Sequence, residues 1–513
     1  MDNDIKAYDT YRNRTFGEKG LPENVRHELN IDSLCENLDF TSSCIGRQYL
    51  YHIICKDEIS EIRDNESLIK ELHDDIPLRK QLIGLLGRLN KPDAYTITEL
   101  LYGKNTDYSQ SYFNAINICR WMPLVFLLCT FLSNIPGQFL ILLLISYIVN
   151  CYLHLKQKSQ LSLYYFSIPQ LYRLIQTAGK IAAISLFADT DRNIHHYINN
   201  LKELTKKLRL FRISINLDSN AAMPLFMFTE LLDIFFLHTT INVINSFRLI
   251  DSKRKDIDGV FRFIGFLDVI CSLSFLREEL PYYCHPAKQD NDEKLLAKSV
   301  YHPLIDNCIP NDISISTKSI LITGSNMSGK TSFIRTIAIN AITGKVLNTC
   351  FANEFRIDTD RRILSVINTE DDLENGKSYF LTETENVKKV FDCAISGNYL
   401  LVFDELFKGT NTAERISINA AVLKELAGHN NIVLASTHDN ELTSLLDNEY
   451  ELYHFCEDIE NDTLAFDYKI KKGTANEGNA IKILGLYGYP DYITKEAEKI
   501  RNCGTFTGSK ENK

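Results

Sequence analysis

The 513-residue sequence contains no two cysteines separated by just two residues, although it has 13 cysteines. It therefore lacks the ligand spacing of the common structural zinc sites, and an odd, scattered set of cysteines does not predict a disulfide scaffold. A reducing compartment fits such a set best. Residues 1–11 are polar and of mixed charge, so we expect no cleavable signal peptide.

An excess of positive charge is also missing. The sequence has 56 Lys and Arg against 66 Asp and Glu, which gives a net charge of −10 at pH 7. A chain this acidic is not a general polyanion binder, so contact with nucleic acid would require a local basic stripe. A solvated helix face is the more common role of such stripes. Two basic clusters are present, one of Lys202, Lys206, Lys207 and Arg209, the other of Lys253, Arg254 and Lys255.

One long hydrophobic run stands between helical patterns on both sides. Residues 121–153 carry no charge and are interrupted only at 133–137, where Ser-Asn-Ile-Pro-Gly is typical of a turn. Two arms of about 15–17 residues joined by this turn predict a helical hairpin, although each arm is slightly shorter than the roughly 20 residues of a membrane span. Aromatic candidates for interfacial anchors lie near the ends, namely Trp121, Tyr147 and Tyr152.

We interpret residues 119–156 as a transmembrane hairpin. Arg120, Lys156 and Lys158 flank the run, and positive flanks place both ends in the cytoplasm, together with the rest of the chain. The alternative is a buried helix pair or an oligomerisation hairpin outside a membrane. Arms that are apolar on all faces are hard to cover within one small domain, which favours the membrane.

A phosphate-binding motif appears after residue 302, where short β-branched runs begin to alternate with helices, as in an α/β domain with a largely parallel sheet. The strand 319–323 runs into G-x-x-x-x-G-K-[ST] and then a helix, which is the required context of this motif. Lys330 would reach the β- and γ-phosphates of ATP, and the Thr331 hydroxyl would ligate Mg²⁺. The predicted nucleotide-binding residues are Gly324, Ser325, Asn326, Met327, Ser328, Gly329, Lys330, Thr331 and Ser332.

Two further strands end in residues suited to hydrolysis. The strand 399–403 is followed by Asp404, which can hold the Mg²⁺ shell, and by Glu405, which is placed to polarise a water for attack on the γ-phosphate. The strand 432–436 leads to His438, which can hydrogen-bond the γ-phosphate or that water. We therefore predict an ATPase whose catalytic residues are Lys330, Glu405 and His438 and whose metal ligands are Thr331 and Asp404.

Taken in order, these motifs resemble the MutS family, the ABC-type ATPases of DNA mismatch repair. A specific resemblance covers residues 300–502, and a weaker one covers parts of the helical region before it. It implies an all-α core and lever domain followed by an α/β P-loop ATPase domain. The segments that carry it are 302–312, 323–331, 371–380, 404–412, 436–438, 478–490 and, more weakly, 30–50 and 265–273. The implied domains are the helical core at 1–118, the hairpin at 119–156, the second part of the core and lever at 157–299, the ATPase at 300–502 and a tail at 503–513.

The chain also departs from that family. About 30 residues precede the core, which is too few for the family's mismatch-recognition domain. Phe16-Gly17-Glu18 matches the letters of the family's mismatch reader, yet such triplets are expected by chance, and Ala352-Asn353 replaces the family's Ala-Gln. The resemblance and these departures together imply a variant that lacks the mismatch-recognition domain, in which the hairpin stands where the family has a long lever and a DNA clamp.

The segment 371–380 is similar to the family's signature segment, which in ABC-type ATPases reaches the nucleotide of the opposite chain. The resemblance implies a homodimer in which Gly376, Lys377 and Ser378 face the γ-phosphate held by the partner subunit's Lys330. The alternative for these three residues is an ordinary turn at the entry of a helix.

Two functions from different classes remain open at this point. The first is a membrane-anchored MutS-like ATPase that binds DNA through its helical core, in mismatch repair or another DNA-structure role. The second is an ATP-driven dimeric switch or scaffold at the membrane that acts on a protein partner without binding DNA. A transporter is a third reading, but two short spans per chain make a pathway improbable.

Overall fold

The computed structural model divides the chain into two compact units. The helical unit comprises residues 1–19, 39–52 and 64–278, and the sheet unit comprises residues 20–38, 53–63 and 279–513. The structure describes residues 2–18, 20–103, 110–162, 167–209, 231–288, 293–325, 328–367, 379–460, 463–474 and 480–502. A helical region and an α/β domain are thus both present, as the sequence predicts.

Two short N-terminal segments belong to the sheet unit, a feature that the sequence pattern did not indicate. The Leu21 amide donates to the Cys55 carbonyl at 2.7 Å, which joins the two segments to each other. The Lys345 ammonium reaches Asp57 at 3.1 Å, which joins them to the rest of the unit. The pattern alone could not reveal this, because each segment is a short amphipathic helix or turn whose partner lies far along the chain.

The helical unit is built from helices of very different length. Its α-helices are Asn3–Phe16, Cys44–Lys56 (whose end enters the sheet unit), Glu66–Asp74, Ile76–Leu86, Ile97–Tyr102, Gln110–Leu132, Pro136–Ser162, Ser167–Ile181, Ser185–Ala188, Ile194–Asn200, His238–Ser252 and Arg254–Glu279, with further helical residues at 202–209 and 231–236. Short 3₁₀ turns lie at Arg63–Asn65, Gly87–Leu89 and Pro92–Ala94.

The helix Arg254–Glu279 forms the core of the helical unit. Its carboxylate Asp268 is fully buried and accepts the amides of Ser42 and Ser43 at 2.8 and 2.9 Å, which fixes the two residues just before the helix that starts at Cys44. Burial raises the pKa of Asp268 to about 7. Gly46 must lack a side chain, because a Cβ there would lie 2.1 Å from Asp268 Oδ2.

The predicted hairpin is present as two antiparallel helices, Gln110–Leu132 and Pro136–Ser162. They are 23 and 27 residues long, so the prediction of arms of 15–17 residues was too short. The reason is that both helices continue past the apolar run into polar sequence. Both arms are long and apolar enough to cross a membrane by length and composition, and so is Arg254–Glu279.

The hairpin arms differ from that third apolar helix in how far they are buried. In the most apolar 18-residue stretch of Arg254–Glu279, 89% is buried, whereas 11% and 17% of the corresponding stretches of the two hairpin arms are buried. Leu132 at the turn is 84% exposed, and Leu144 in the second arm is 60% exposed. Among the residues that the structure describes, the helical unit therefore covers its own core helix and leaves most of the hairpin uncovered.

The open ends of the hairpin arms are covered. Ile116 in the first arm packs with Leu237, Ile241 and Ile244, and Leu153 in the second arm lies against this cluster. The buried amide of Asn150 donates to the Phe235 carbonyl at 3.1 Å, and His154 lies 3.5 Å from Asp233. The base of the hairpin is thus a small packed bundle, and the part beyond it carries the exposed apolar side chains.

The described residues of the sheet unit form two sheets. Their strands are β1 Leu295–Val300, β2 Asn311–Ile315, β3 Ser319–Thr323, β4 Glu354–Ile357, β5 Arg362–Val366, β6 Tyr399–Asp404, β7 Ile432–Ser436, β8 Tyr450–Glu460 and β9 Thr463–Lys472. The smaller sheet is antiparallel, with the strand order β2-β1-β4. The larger sheet has the order β5-β6-β7-β3-β8-β9, and in it β9 is antiparallel to β8 while the other neighbours are parallel.

The sheet unit also contains helices, and the order of its strands indicates where a ligand can bind. They are Glu23–Glu28, Ile31–Leu38, Lys330–Leu347, Tyr379–Ala394, Thr412–Gly428, Glu441–Leu445, Ala480–Leu486 and Asp491–Asn502. The central strands β6, β7 and β3 are parallel neighbours and are buried along most of their length. In open parallel sheets ligands bind beyond the carboxyl ends of the strands, so the loops after β3, β6 and β7 are the expected ligand-binding site.

Candidate functional site

The loop after β3 carries the phosphate-binding motif. Gly324 and Gly329 have φ of 137° and 101°, conformations that favour glycine, and a Cβ on Gly324 would lie 2.7 Å from the Phe455 carbonyl oxygen. Lys330 begins the following helix, and its ammonium donates to the carbonyls of Gly324 and Ser325 at 2.6 and 2.8 Å. The Lys330 side chain is therefore folded back over the start of the loop. The predicted loop residues Asn326 and Met327 lie outside the described residues.

Burial is the main influence on the charge of Lys330. Its side chain is 2% exposed, and burial lowers the pKa of Lys330 to about 8, while the nearby carboxylates of Glu405 and Asp404 oppose that shift. The ammonium therefore remains mostly protonated at pH 7 and keeps the positive charge that a phosphate requires.

Thr331, at the start of the helix after β3, contacts Asp404 at the end of β6. The Thr331 hydroxyl donates to Asp404 Oδ2 at 2.7 Å, and the Ser436 hydroxyl donates to the other carboxylate oxygen. Hydroxyl and carboxylate oxygens are the ligands that Mg²⁺ prefers. These two side chains therefore fit a magnesium ion that bridges the protein and a bound triphosphate.

Glu405 lies between one histidine and two lysines. His438 Nε2 is in hydrogen-bonding contact with it, Lys408 pairs with it at 2.9 Å, and Lys330 lies 3.7 Å away. Burial alone would raise the pKa of Glu405, but hydrogen bonds from His438 and Lys408 outweigh burial and hold that pKa at about 2. The carboxylate is thus ionised at neutral pH and can accept a hydrogen bond from water.

His438 is placed by the loop that follows β7. Its Nε2 lies 3.4 Å from the Lys330 ammonium, and the next residue, Asp439, forms a two-pronged ion pair with Arg415 at 2.9 and 2.6 Å. The Thr437 amide donates to the Ile322 carbonyl of β3 at 2.9 Å. The imidazole is therefore held beside both the lysine and the glutamate, and sequence reasoning missed the Arg415–Asp439 pair that holds it.

Glu383 is a second residue that the sequence did not reveal. It is 2% exposed on the helix Tyr379–Ala394 and accepts the Phe407 amide at 2.6 Å. Burial raises the pKa of Glu383, and hydrogen bonds from the amides of residues 407–409 oppose that rise. Glu405 and Phe407 have φ of 51° and 60°, in the left-handed region that non-glycine residues seldom occupy. The loop after β6 is therefore strained, and the buried Glu383 carboxylate is one of the groups that hold it.

A cavity of about 730 Å³ opens beside the phosphate loop, a size suited to a nucleotide. Its wall contains Gly329, Thr331 and Ser332 from the loop and the start of the helix. Aromatic rings line another part, and two of them stack at 5.7 Å between centroids. These are Phe333, Phe455, Phe466 and Tyr468. Flat apolar rings beside a phosphate loop suit the base of a nucleotide. No local sequence motif predicted these rings.

The structure thus brings Lys330, Thr331, Asp404, Glu405 and His438 together at one edge of the sheet. The three signature residues, Gly376, Lys377 and Ser378, lie outside the described residues. Glu18 of the Phe16-Gly17-Glu18 triplet pairs with Arg12 in the helical unit.

Comparison with known proteins finds similarity over the part of the chain that carries this site. Residues 320–503 match the model described as MutS domain V. A protein named DNA mismatch repair protein MutS from Clostridium novyi (strain NT) is 31% identical over 268 residues, which are 50% of this chain and 29% of that protein. Proteins of the same name are 31% identical over 264 residues in Halalkalibacterium halodurans, and 32% identical over 254 residues in Clostridium botulinum (strain Loch Maree / Type A3). Those matches cover 48% and 47% of this chain, and 29% and 27% of the respective relatives.

The match therefore spans less than a third of the length of these relatives. Within that limit the comparisons confirm the ATPase prediction, because residues 320–503 match MutS domain V.

Proposed function

We propose that this protein is a membrane-anchored ATPase of the MutS type that works as a dimer. The ATPase activity is supported by one observation. The phosphate-loop lysine, the Thr331–Asp404 pair and the Glu405–His438 pair lie together at the carboxyl ends of adjacent strands. These groups supply, in one place, a phosphate clamp, a metal site and a water-orienting carboxylate.

Each side chain has a distinct part in hydrolysis. A triphosphate in the loop takes the place of the two loop carbonyls as partner of Lys330, and the aromatic cavity holds its base. Glu405 accepts a hydrogen bond from the attacking water, and His438 keeps that carboxylate aligned from the other side. Thr331 and Asp404 would hold Mg²⁺, which neutralises charge on the phosphates when bound.

Replacing Lys330 with alanine is expected to weaken ATP binding by about 10–100-fold, because a hydrogen bond to a charged group contributes about 1.5–3 kcal/mol. Titration with a fluorescent ATP analogue measures this, and phosphate release should fall in parallel. Lys388→Ala is the matched control, since that lysine is exposed and pairs only locally with Asp392. Unchanged ATP affinity in Lys330→Ala would contradict the assigned phosphate site.

The dimer proposal rests on the resemblance of residues 371–380 to the family's signature segment. One loop and one ion leave part of the γ-phosphate facing solvent, and donors from the opposite chain would neutralise it and exclude water. We infer that Ser378 acts on the nucleotide held by the partner subunit's Lys330, so that ATP holds the two chains together.

Mixing two inactive variants tests the shared site. Lys330→Ala and Ser378→Arg chains are each expected to be inactive, while their heterodimers should recover up to about half of the wild-type rate because one of two composite sites is intact. The measurement is phosphate release from heterodimers isolated through two different affinity tags. Full activity in pure Ser378→Arg protein would remove Ser378 from the mechanism.

The membrane anchor is supported by the exposure of the hairpin. Beyond its packed base, both arms present many exposed large apolar side chains, and the turn at 133–137 that joins them carries no charge. An uncovered apolar surface of this size is unstable in water and is typical of contact with lipid or another chain. We infer that it enters a bilayer, with the remaining chain in the cytoplasm. A buried or oligomerising hairpin is the competing reading.

A DNA role in mismatch repair or a related process is the finer proposal, and a protein partner is its alternative. Lys202, Lys206 and Arg209 are exposed on one helical segment and could meet phosphates. The second basic cluster is less suited, because Arg254 pairs with Asp251 at 2.8 Å and Lys253 lies 3.9 Å from Asp256.

Titration of the detergent-solubilised protein with duplex DNA across salt concentrations separates the two proposals. Binding through phosphates predicts an affinity that falls with salt, with a logarithmic slope of about −0.9 per phosphate contacted. Lys202→Glu with Lys206→Glu should then reduce both affinity and slope, whereas Lys388→Glu should not. Absence of salt-dependent binding, with or without ATP, would favour the protein partner.

A further inference from the structure

Cys284 and Cys350 face each other across a short antiparallel bridge in the sheet unit. The amide of each donates to the carbonyl of the other, at 3.0 and 2.8 Å. Residues paired in this way have Cα atoms about 5.5 Å apart and side chains on the same side of the ladder. A disulfide requires Cα atoms about 4.4–6.8 Å apart. Both residues are thiols in this structure, and the backbone bridge holds them at a Cα spacing that is compatible with a disulfide.

The surrounding contacts fix this pair in place. His285 Nδ1 lies 2.8 Å from the Asn348 carbonyl, and the Tyr301 amide donates to the Phe351 carbonyl at 3.0 Å. Gly344 leaves room for the Cys350 sulfur, since a Cβ there would lie 2.6 Å from it. The two backbone segments are therefore clamped on both sides of the bridge, and little movement would be needed to join the sulfurs.

The two thiols differ in exposure and in acidity. Cys350 is fully buried, whereas Cys284 is partly exposed. Contact with the Cys350 thiol lowers the pKa of Cys284, while burial raises the pKa of Cys350. The thiolate is the reactive form of cysteine, so Cys284 is the sulfur that an oxidant in solution would meet first.

We propose that Cys284 and Cys350 are a site of reversible oxidation that closes into an intramolecular disulfide. With a small disulfide as oxidant, the Cys284 thiolate attacks one of its sulfurs and releases a thiolate, which leaves a mixed disulfide on Cys284. The Cys350 thiol then loses its proton and attacks the Cys284 sulfur, which releases the second small thiol. Two protein thiols are oxidised and one small disulfide is reduced to two thiols.

The position of the pair gives this bond a specific effect. Cys284 lies in the first residues of the sheet unit after the helix that ends at Glu279, and Cys350 lies three residues after the helix that begins at Lys330. The disulfide would tie the incoming chain to the far end of the helix that carries the phosphate lysine. This inference depends on the bridge geometry alone and stands apart from the proposed membrane and DNA roles.

Peptide mapping of the purified full-length chain tests the proposal. The protein is incubated with oxidised glutathione, alkylated, digested without reductant and analysed by mass spectrometry. We expect the Cys284–Cys350 peptide to exceed any other linked peptide of Cys284 by about tenfold or more, and to disappear on addition of dithiothreitol. Cys393, the exposed cysteine on the helix Tyr379–Ala394, is the control and should retain only a glutathione adduct.

The Cys350→Ser variant distinguishes a resolving thiol from a bystander. It should leave Cys284 as a stable glutathione adduct, because no second thiol completes the exchange. The proposal fails if wild-type Cys284 carries glutathione while Cys350 remains alkylated as a free thiol. It also fails if Cys284 links preferentially to a cysteine other than Cys350.

Discussion

Replacing Glu405 with glutamine is expected to slow ATP hydrolysis by about 10²–10⁴-fold while ATP still binds. The glutamine amide has nearly the same shape, but it lacks the negative charge that Lys408 and His438 hold in place. Single-turnover phosphate release measures the chemical step, and analogue titration measures binding. The Glu405→Gln dimer should also persist longer in ATP, because hydrolysis no longer releases it.

The matched control for this experiment is Glu425→Gln, at an exposed position of the helix Thr412–Gly428. It removes one negative charge from the same unit away from the nucleotide site and should leave the rate within about twofold, as surface substitutions generally do. Hydrolysis at the wild-type rate in Glu405→Gln would show that another group orients the water.

Removing the exposed part of the hairpin is expected to move the protein from the membrane pellet to the soluble fraction. The structure suggests deleting residues 121–149 and joining Arg120 to Asn150 through a short Gly/Ser link. This keeps Ile116 and Leu153, which pack at the base, and the hydrogen bond from Asn150 to Phe235. High-speed sedimentation measures the partition, and ATP hydrolysis shows that the sheet unit remains folded.

A single charge within the hairpin gives a finer test of the same proposal. Leu144→Arg should weaken membrane insertion, because an arginine at the centre of a spanning helix costs about 2.5–3.5 kcal/mol. Leu445→Arg is the control, since Leu445 is similarly exposed but lies in the sheet unit. Lys156→Glu and Lys158→Glu together should also weaken insertion by reversing the positive flank. Full-length protein in the supernatant without detergent would instead support a hairpin covered by protein.

The sequence predicted the parts of the nucleotide site that are encoded locally. The phosphate loop is a continuous strand–loop–helix, and Glu405 and His438 directly follow buried strands, so their positions follow from the rule that parallel strands end at one edge. Each of these residues could be located without knowing which strands are neighbours. The same holds for the hairpin, whose turn is written in a few consecutive residues.

The residues that the sequence did not reveal depend on distant pairings. The aromatic cavity requires β9 to fold back along β8, and it requires β8 to pair with β3, a strand more than a hundred residues earlier in the chain. Glu383 reaches its amides only because its helix packs near the loop after β6. A buried glutamate on an amphipathic helix has no periodic pattern that distinguishes it from a solvated one.

The strained loop after β6 can couple the position of Glu405 to the binding of the opposite chain. A left-handed conformation costs an ordinary residue about 1–2 kcal/mol, and both Glu405 and Phe407 adopt it. Their strain persists because the Glu383 carboxylate holds the Phe407 amide. The helix that carries Glu383 begins at Tyr379, immediately after the segment proposed to touch the opposite chain. A displacement of the start of that helix would therefore be transmitted through Glu383 to the Phe407 amide. The Glu405 carboxylate would then change position when the opposite chain binds or dissociates.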